Sequence, residues 1–342
     1  MESKRILCIG DPHFRVENIT EVEEFIAKLI PLIEDRKPDF IVVLGDLLHT
    51  HERVHTIALN KAYDFINQLR KLAKTFVIVG NHDYIQNQQF LTENHWMNGM
   101  KEWENVVIVD KVLEFEDFVF CPYVPPGRFE EALDTLSGYD WRQSSCIFAH
   151  QEFYGCKMGA IISVDGDKWD ESFPVVVSGH IHSKQQPQKN VYYTGSAMQH
   201  AFGESEENII AVFDFQANGK YEVYEVDLQL KRKKIVYMSM DEIESFKVKP
   251  DDDDVKIALS GNYDEFKAFK KGEKYKNLVE DGVKVVFKVT KKEEQVKDEK
   301  RFQNAQEGDF KQILYNLSAT SGDKEVLRLY EFLVNNNDVM IL

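Results

Sequence analysis

Residues 40–49 read FIVVLGDLLH. Phe40–Leu44 is a run of apolar residues with no polar alternation, the pattern of a strand buried on both faces. Gly45 ends the run, and Asp46 and His49 follow in the loop at the strand's C-terminal end. Lys4–Ile9 upstream is a second such strand, leading into Gly10-Asp11-Pro12-His13. Phe76–Val79 downstream is a third, leading into Gly80-Asn81-His82-Asp83. Between them apolar residues recur at helical spacing over Ile19–Asp35 (Val22, Phe25, Ile26, Leu29, Ile30, Ile33) and Thr56–Lys74 (Ala58, Leu59, Ala62, Phe65, Ile66, Leu69, Leu72). The order βαβαβ predicts a parallel sheet with right-handed crossovers. Ligands bind such sheets at the C-terminal edges of the strands, where all three of these loops fall.

More strands follow at Val106–Val109, Phe118–Cys121, Ser145–Phe148, Val175–Val177, Tyr192–Thr194, Ile209–Phe215 and Tyr221–Val226, with a hairpin turn at Gln216–Lys220. They predict a second, mixed sheet. The character changes after Asp227. Val255–Ser260, Asp264–Lys270 and Val283–Val289 read as strand, helix and strand, a small α/β module over 228–290. Residues 291–342 read as a charged linker, Lys291–Arg301, followed by two amphipathic helical patterns, Phe310–Leu317 and Glu325–Val334.

The 342 residues suffice for about two domains. With 43% hydrophobic and 29% charged residues the composition is globular. No apolar run reaches the ~20 residues of a membrane span, and the N-terminus lacks a secretory pattern. A cytoplasmic protein is expected, or a nuclear one in a eukaryotic setting. The four cysteines, Cys8, Cys121, Cys146 and Cys156, are expected to be buried free thiols. Residues 1–227 carry 20 basic and 36 acidic side chains, whereas 228–301 carry 19 and 16. No protein-wide basic field attracts nucleic acid, so a polyanion has to be met by a local site, by metal ions or by the lysine-rich module.

Two further clusters sit at strand ends: Ala149-His150-Gln151, and Ser178-Gly179-His180-Ile181-His182. Together the loops offer Asp, Asn and His donors and no thiolate, a set suited to Mn²⁺, Fe or Zn²⁺. Their number is enough for two metal ions, which in two-metal sites clamp the attacking and leaving oxygens of a phosphoryl displacement. Singly, a DxH, a GD or an HxH reads equally well as a turn or a structural pair. Five such elements in order, all at strand ends, do not.

GDPH, GDLLH, GNHD, His150 and GHIH resemble, in order and spacing, the calcineurin-like metallophosphoesterases. Tyr193–Glu204 (YTGSAMQHAFGE) is similar to the Tyr-x-Gly-Ser … Phe-Gly-Glu signature of SbcD-type nucleases, subunits that act on DNA ends with an SMC-like coiled-coil ATPase. The resemblance covers residues 5–215; the module at 228–290 matches that family's capping, DNA-binding domain in place and size, and 302–342 match its ATPase-binding helices in position only. It implies an α/β fold: a two-sheet sandwich flanked by helices, plus a small α/β cap and a C-terminal helical pair. It further implies two divalent ions, most consistent with Mn²⁺. One would be held by Asp11, His13, Asp46 and His182, the other by Asp46, Asn81, His150 and His180. His82 would steady the phosphate's developing charge or protonate the leaving oxygen. Asp83 would either orient His82 or cap the turn, and His49 would be auxiliary. Implied partners are DNA, the ATPase docked on the tail and a second copy of the chain, joined through a helical bundle of Thr56–Lys74 and Gln86–Trp103; no membrane is implied.

The expected activity is Mn²⁺-dependent exonuclease and endonuclease cleavage of DNA ends or hairpins, in recombination and repair. Rivals are a cyclic-nucleotide phosphodiesterase or phosphatase of the same superfamily and a non-catalytic DNA-end scaffold. The GDxxDRG run of protein phosphatases is absent, since the chain reads GDLLHTH at 45–51. His51 and His55 read as surface residues, His95 as structural in a helix, and His200 as either a DNA contact or loop packing. Lys231–Lys234 reads as a solvated hinge and Asp251–Asp254 as a loop.

Overall fold

The computed structural model describes residues 2–51, 53–247 and 253–289. The first half runs β1 (Lys4–Ile9), α1 (Ile19–Arg36), β2 (Phe40–Val43), α2 (Thr56–Leu69), β3 (Lys74–Ile78), β4 (Val106–Val109), β5 (Leu113–Phe115), β6 (Phe118–Phe120), α3 (Phe129–Leu133) and β7 (Cys146–Ala149). Then come a hairpin of β8 (Lys157–Met158) and β9 (Ile161–Ile162), β10 (Val176–Ser178), β11 (Gln185–Gln188), β12 (Val191–Tyr193), β13 (Ile210–Phe215) and β14 (Tyr221–Val226).

One sheet has the order β14-β13-β1-β2-β3-β4, with β1 to β4 parallel and β13 and β14 antiparallel at one edge. The other has the order β11-β12-β10-β7-β6-β5 and is parallel through its centre. Alternation along β1 explains its unbroken apolar sequence. Ile6 and Cys8 face the second sheet, in a core with Phe118, Phe120, Phe148 and Val177. Leu7 and Ile9 face outward onto Phe25, Leu29, Phe65 and Ile66 of α1 and α2. Phe76 stacks on Phe120 across the sandwich, ring centroids 4.1 Å apart. The second sheet's outer face is covered by α3 and the stacked Trp141 and Trp169. The four cysteines are buried and free, as expected. No helix among the described residues is long and apolar enough to cross a membrane.

The small module is a three-stranded parallel sheet of β15 (Lys233–Ser239), β16 (Asp254–Gly261) and β17 (Lys284–Val289). Helices α4 (Met240–Ile243), α5 (Tyr263–Phe269) and α6 (Glu273–Glu280) complete it. Ile257, Leu259, Phe266, Phe269 and Leu278 form its own core. The strand β15 begins inside the run read as a hinge, Lys231–Lys234, and continues through the apolar residues that follow it. Lys233 and Lys234 in fact pair with Glu21 and Asp253. The linker Lys291–Arg301, the helical patterns Phe310–Leu317 and Glu325–Val334, and Asp251 and Asp252 lie outside the described residues.

Three expectations need correction. The strands at Val106–Val109, Ile209–Phe215 and Tyr221–Val226, expected in the second sheet, extend the first: β4 pairs with β3, β13 with β1, and β14 with β13. Helix α2 ends at Leu69, not Lys74, because Lys74 already begins β3. The predicted helix Gln86–Trp103 is absent: only a 3₁₀ turn, Trp96–Met100, forms there. The stretch carries Asn87, Asn94, Asn98 and Gly99, weak helix formers. Its apolar residues also divide between two cores, Phe90 and Leu91 packing against the second sheet's outer cluster and Trp96, Met97 and Met100 against the first sheet's. The helical bundle expected to join two copies therefore lacks one of its helices.

His95, expected in a helix, instead caps this turn: its Nδ1 accepts from the Met97 N–H. Its Nε2 lies 3.1 Å from buried Asp110 Oδ2, which also pairs with Lys101 Nζ. Burial works to raise the Asp110 carboxyl, but the hydrogen bonds from His95 and Lys101 outweigh it and hold it below the usual carboxylate range. Stability from such a group is present above the unfolded pKa of about 3.9 and is lost as pH falls through the lower folded value. Asp110→Asn is expected to cost about 1–3 kcal/mol at pH 7. In urea unfolding the gap from the wild type should narrow as pH falls below about 4.

Candidate metal centre

The C-terminal edges of both sheets meet at one place. Asp11 and His13 follow β1, Asp46 follows β2, Asn81 to Asp83 follow β3, His150 follows β7, and His180 and His182 follow β10. The loops turn sharply. Asp11, His13, Asp46 and His180 all have positive φ (34°, 46°, 50° and 78°). For residues other than glycine this costs of order 1–3 kcal/mol each and persists only where surroundings enforce it. Gly45 and Gly80 allow the close approach. A Cβ on Gly45, φ +104°, would lie 2.3 Å from His150 Nδ1, and one on Gly80 2.2 Å from Asp46 Oδ1.

Asp46 occupies the middle. Its Oδ1 accepts the His82 backbone N–H at 2.8 Å. Its Oδ2 lies 3.5 Å from His13 Nε2 and 3.4 Å from His150 Nε2. On one side, His13 Nε2 and His182 Nε2 are 3.0 Å apart. On the other, Asn81 Oδ1 is 3.0 Å from His150 Nε2 and 2.9 Å from His180 Nδ1. Donor atoms of Asp11, His13 and His182 lie within 4.8 Å of one another, as do those of Asp11, Asp46 and His150, and of His13, His49 and His82.

These separations fit metal ions. Ligands about 2.0–2.2 Å from a cation at 90–110° to each other lie roughly 3–3.5 Å apart. Asp11 Oδ2 is buried without a hydrogen bond, and a cation would satisfy it. The charges agree. Burial raises the Asp11 carboxyl to about 6. Burial also works to raise Asp46, but His150 and His13 outweigh it and hold it well below the carboxylate range. Burial would lower His150, yet Asp46 and Asp11 push it up to about 9. Burial, with help from His150, drives His180 down to about 3, and burial holds His13 far below its usual value. Two buried carboxylates thus call for positive charge, met in part by His150 and His182. Burial would lower the pKa values of these two rings, but those carboxylates and Glu204 raise them, while His13 and His180 are held neutral.

The three remaining candidates stand beside this centre. His82 Nδ1 lies 2.8 Å from the His49 carbonyl, so its N–H donates there. The ring is stacked between His49 and His51, with centroids 5.5 and 4.6 Å away. His49 Nδ1 is 3.3 Å from His13 Nδ1. The carboxylate of Asp83 accepts from the backbone N–H of Gly80 (3.0 Å) and Leu48 (3.2 Å) and from the indole of Trp96 (3.0 Å). Of the two roles considered for Asp83, turn capping matches these contacts; the His49 carbonyl orients His82.

Other sequence readings resolve similarly. His55 caps α2, accepting from the Ile57 N–H. His51, read as a surface residue, is half-buried against His82. His200 is buried, its Nε2 2.7 Å from the Asp11 carbonyl, which is loop packing. Sequence reasoning passed over Glu152, 3.9 Å from His180 Nε2, and Glu204, 3.3 Å from His182 Nδ1. Glu152 could have been flagged by its place two residues after His150, and Glu204 by the Phe-Gly-Glu segment.

The model of the calcineurin-like phosphoesterase family matches residues 4–184. "Putative phosphoesterase 244L" of Invertebrate iridescent virus 6 is 49% identical over 279 residues, 79% of this chain and 99% of its own. "Putative phosphoesterase 078R" of Invertebrate iridescent virus 3 is 49% identical over 292 residues, 83% of this chain and 84% of its own. Among solved structures, GAP50 of the Plasmodium inner membrane complex aligns with a TM-score of 0.42 at 12% identity, over 67% of this chain and 86% of its own.

Because Asp83 holds three loops together, Asp83→Ala is expected to cost about 3 kcal/mol or more, since buried donors lose their acceptor. The loss should appear in urea unfolding of the metal-free protein, which separates it from any effect on ligation.

Proposed function

The chain belongs to the calcineurin-like phosphoesterase family, and from that premise we propose that it cleaves phosphodiester bonds in DNA with two divalent ions, Mn²⁺ in preference to Mg²⁺. The observation that carries phosphoester chemistry is the convergence of Asp11, Asp46, Asn81 and four imidazoles on adjoining donor groups around Asp46 Oδ2. Asp11, His13, Asp46 and His182 would hold one ion; Asp46, Asn81, His150 and His180 the other. Bound there, the ions would supply an acidified water and a clamp on the oxygens of an in-line displacement. The imidazole-rich set favours Mn²⁺, because Mg²⁺ prefers oxygen ligands and keeps its waters.

The chain's own contribution centres on His82. With Nδ1 committed to the His49 carbonyl, Nε2 is the atom left to meet a phosphate or leaving oxygen. Stacking between His49 and His51 holds the ring plane. Burial lowers the pKa of His82, so once charged it gives up its proton readily. Asp46 fixes the His82 backbone from the other side.

DNA as substrate is supported by the small sheet. The face of β15–β17 turned away from its helices carries Lys256, Lys284 and Lys288 together with Tyr237. Lys288 lies over the exposed Tyr237 ring, and Lys256 and Lys284 over Phe202, in the loop that also carries Glu204. Lysines grouped around the exposed Tyr237 ring and the half-buried Phe202 suit a phosphate backbone and its bases. In this reading residues 1–227 are the nuclease domain and 228–290 the cap. Residues 291–342 link to and dock an SMC-like ATPase, and truncation after Lys300 should abolish that association alone.

EDTA-treated protein should regain cleavage of linear and hairpin DNA with Mn²⁺ more fully than with Mg²⁺. Activity on bis-p-nitrophenyl phosphate without activity on DNA would make it a small-molecule phosphodiesterase instead. His82→Asn is expected to lower cleavage about 10²–10⁴-fold at unchanged Mn²⁺ content. Asp46→Ala should lose both ions by elemental analysis.

A further inference from the structure

The geometry points to Glu204 as a positioning residue for His182: its carboxylate fixes the tautomer and plane of that imidazole, and so governs one ion's affinity. The inference rests on the two-ion reading above and not on the choice of substrate. Glu204 Oε1 lies 3.3 Å from His182 Nδ1 and accepts its N–H. The other oxygen, Oε2, accepts the backbone N–H groups of His200 at 2.8 Å and Ala201 at 2.9 Å. With both oxygens engaged, the carboxylate cannot swing away from the ring. A proton on Nδ1 leaves Nε2 as a bare lone pair, and Nε2 is the atom 3.0 Å from His13 Nε2.

The loop holding Glu204 is itself anchored to the site. His200 Nε2 contacts the Asp11 carbonyl at 2.7 Å, and Arg15 donates to the His200 carbonyl at 2.7 Å. Gln199 exchanges hydrogen bonds with both backbone groups of Lys233 at the start of β15. The other imidazoles are oriented differently: His150 donates to the Leu44 carbonyl at 2.7 Å, His13 Nδ1 faces His49, and Glu152 stands 3.9 Å from His180. A carboxylate hydrogen-bonded behind a ligating imidazole raises its basicity, and removing it typically costs 10–100-fold in metal affinity.

Glu204→Gln is the sharp variant. If its oxygen keeps the two backbone donors, its amide NH₂ faces His182 Nδ1 and drives the ring proton onto Nε2. Metal-free full-length protein is titrated with Mn²⁺ by calorimetry and EPR. The wild type is expected to bind two ions. The variant should bind one with wild-type affinity and the other about 10–100-fold more weakly, with the metal-free melting temperature unchanged. Two wild-type affinities in the variant overturn the role of Glu204, as does a fall in melting temperature that weakens both ions together, since that is a structural effect. Long-range ¹⁵N–¹H NMR of the metal-free wild type, at a pH where the ring is neutral, gives a reading that needs no variant to fold: a proton on His182 Nδ1 supports the inference, and a proton on Nε2 overturns it. A wild type that binds fewer than two Mn²⁺ overturns the two-ion reading itself.

Discussion

Everything at the centre of this protein is arranged around the buried carboxylate of Asp46. An ionised carboxylate away from water is costly unless it is paired or ligates a cation. Here one oxygen takes a backbone N–H and the other faces imidazoles from two sheets. A second buried carboxylate, Asp11, stands close by with one oxygen unsatisfied. Four residues of the cluster adopt left-handed backbone conformations, and Gly45 and Gly80 leave room for the approach. The sandwich has to be rigid enough to enforce these strained loops, and its aromatic layer, with Phe76 on Phe120, supplies that rigidity.

The division of labour between the sheets follows. The first brings the carboxylates, Asn81, His13 and His82; the second brings His150, His180 and His182. Neither sheet holds a complete donor set alone. Outer contacts then choose which imidazole nitrogen faces inward. The Leu44 carbonyl does so for His150, the His49 carbonyl fixes His82, and Glu204 does so for His182. Asp83 ties the loops after β2 and β3 from beneath, so it serves the site without touching it.

Charge distribution separates the tasks further. Residues 1–227 are strongly acidic, which leaves the attraction of a polyanion to local features. The lysines of the β15–β17 face, Lys256, Lys284 and Lys288, stand on β16 and β17, while β15 begins within the basic run Lys231–Lys234. Its parallel register with β16, Ile235 opposite Lys256, makes it an edge strand of the small sheet.

The sequence by itself determined the parallel β1-β2-β3 centre of the first sheet, because strands buried on both faces leave an uninterrupted apolar run and their loops carry GDPH, GDLLH and GNHD; that β4, β13 and β14 join this sheet was decided by tertiary pairing. It placed His13, Asp46, Asn81 and their companions at strand ends, since that depends only on local pattern. It misjudged Gln86–Trp103, where helical spacing arose from residues serving two different cores. Only the tertiary structure decided that His150, His180 and His182 meet Asp11 and Asp46 at one point, that Asp83 caps a turn and does not orient His82, and that His51 stacks on His82. Those facts rest on contacts between residues tens to well over a hundred positions apart, and on backbone conformations that side-chain periodicity does not encode.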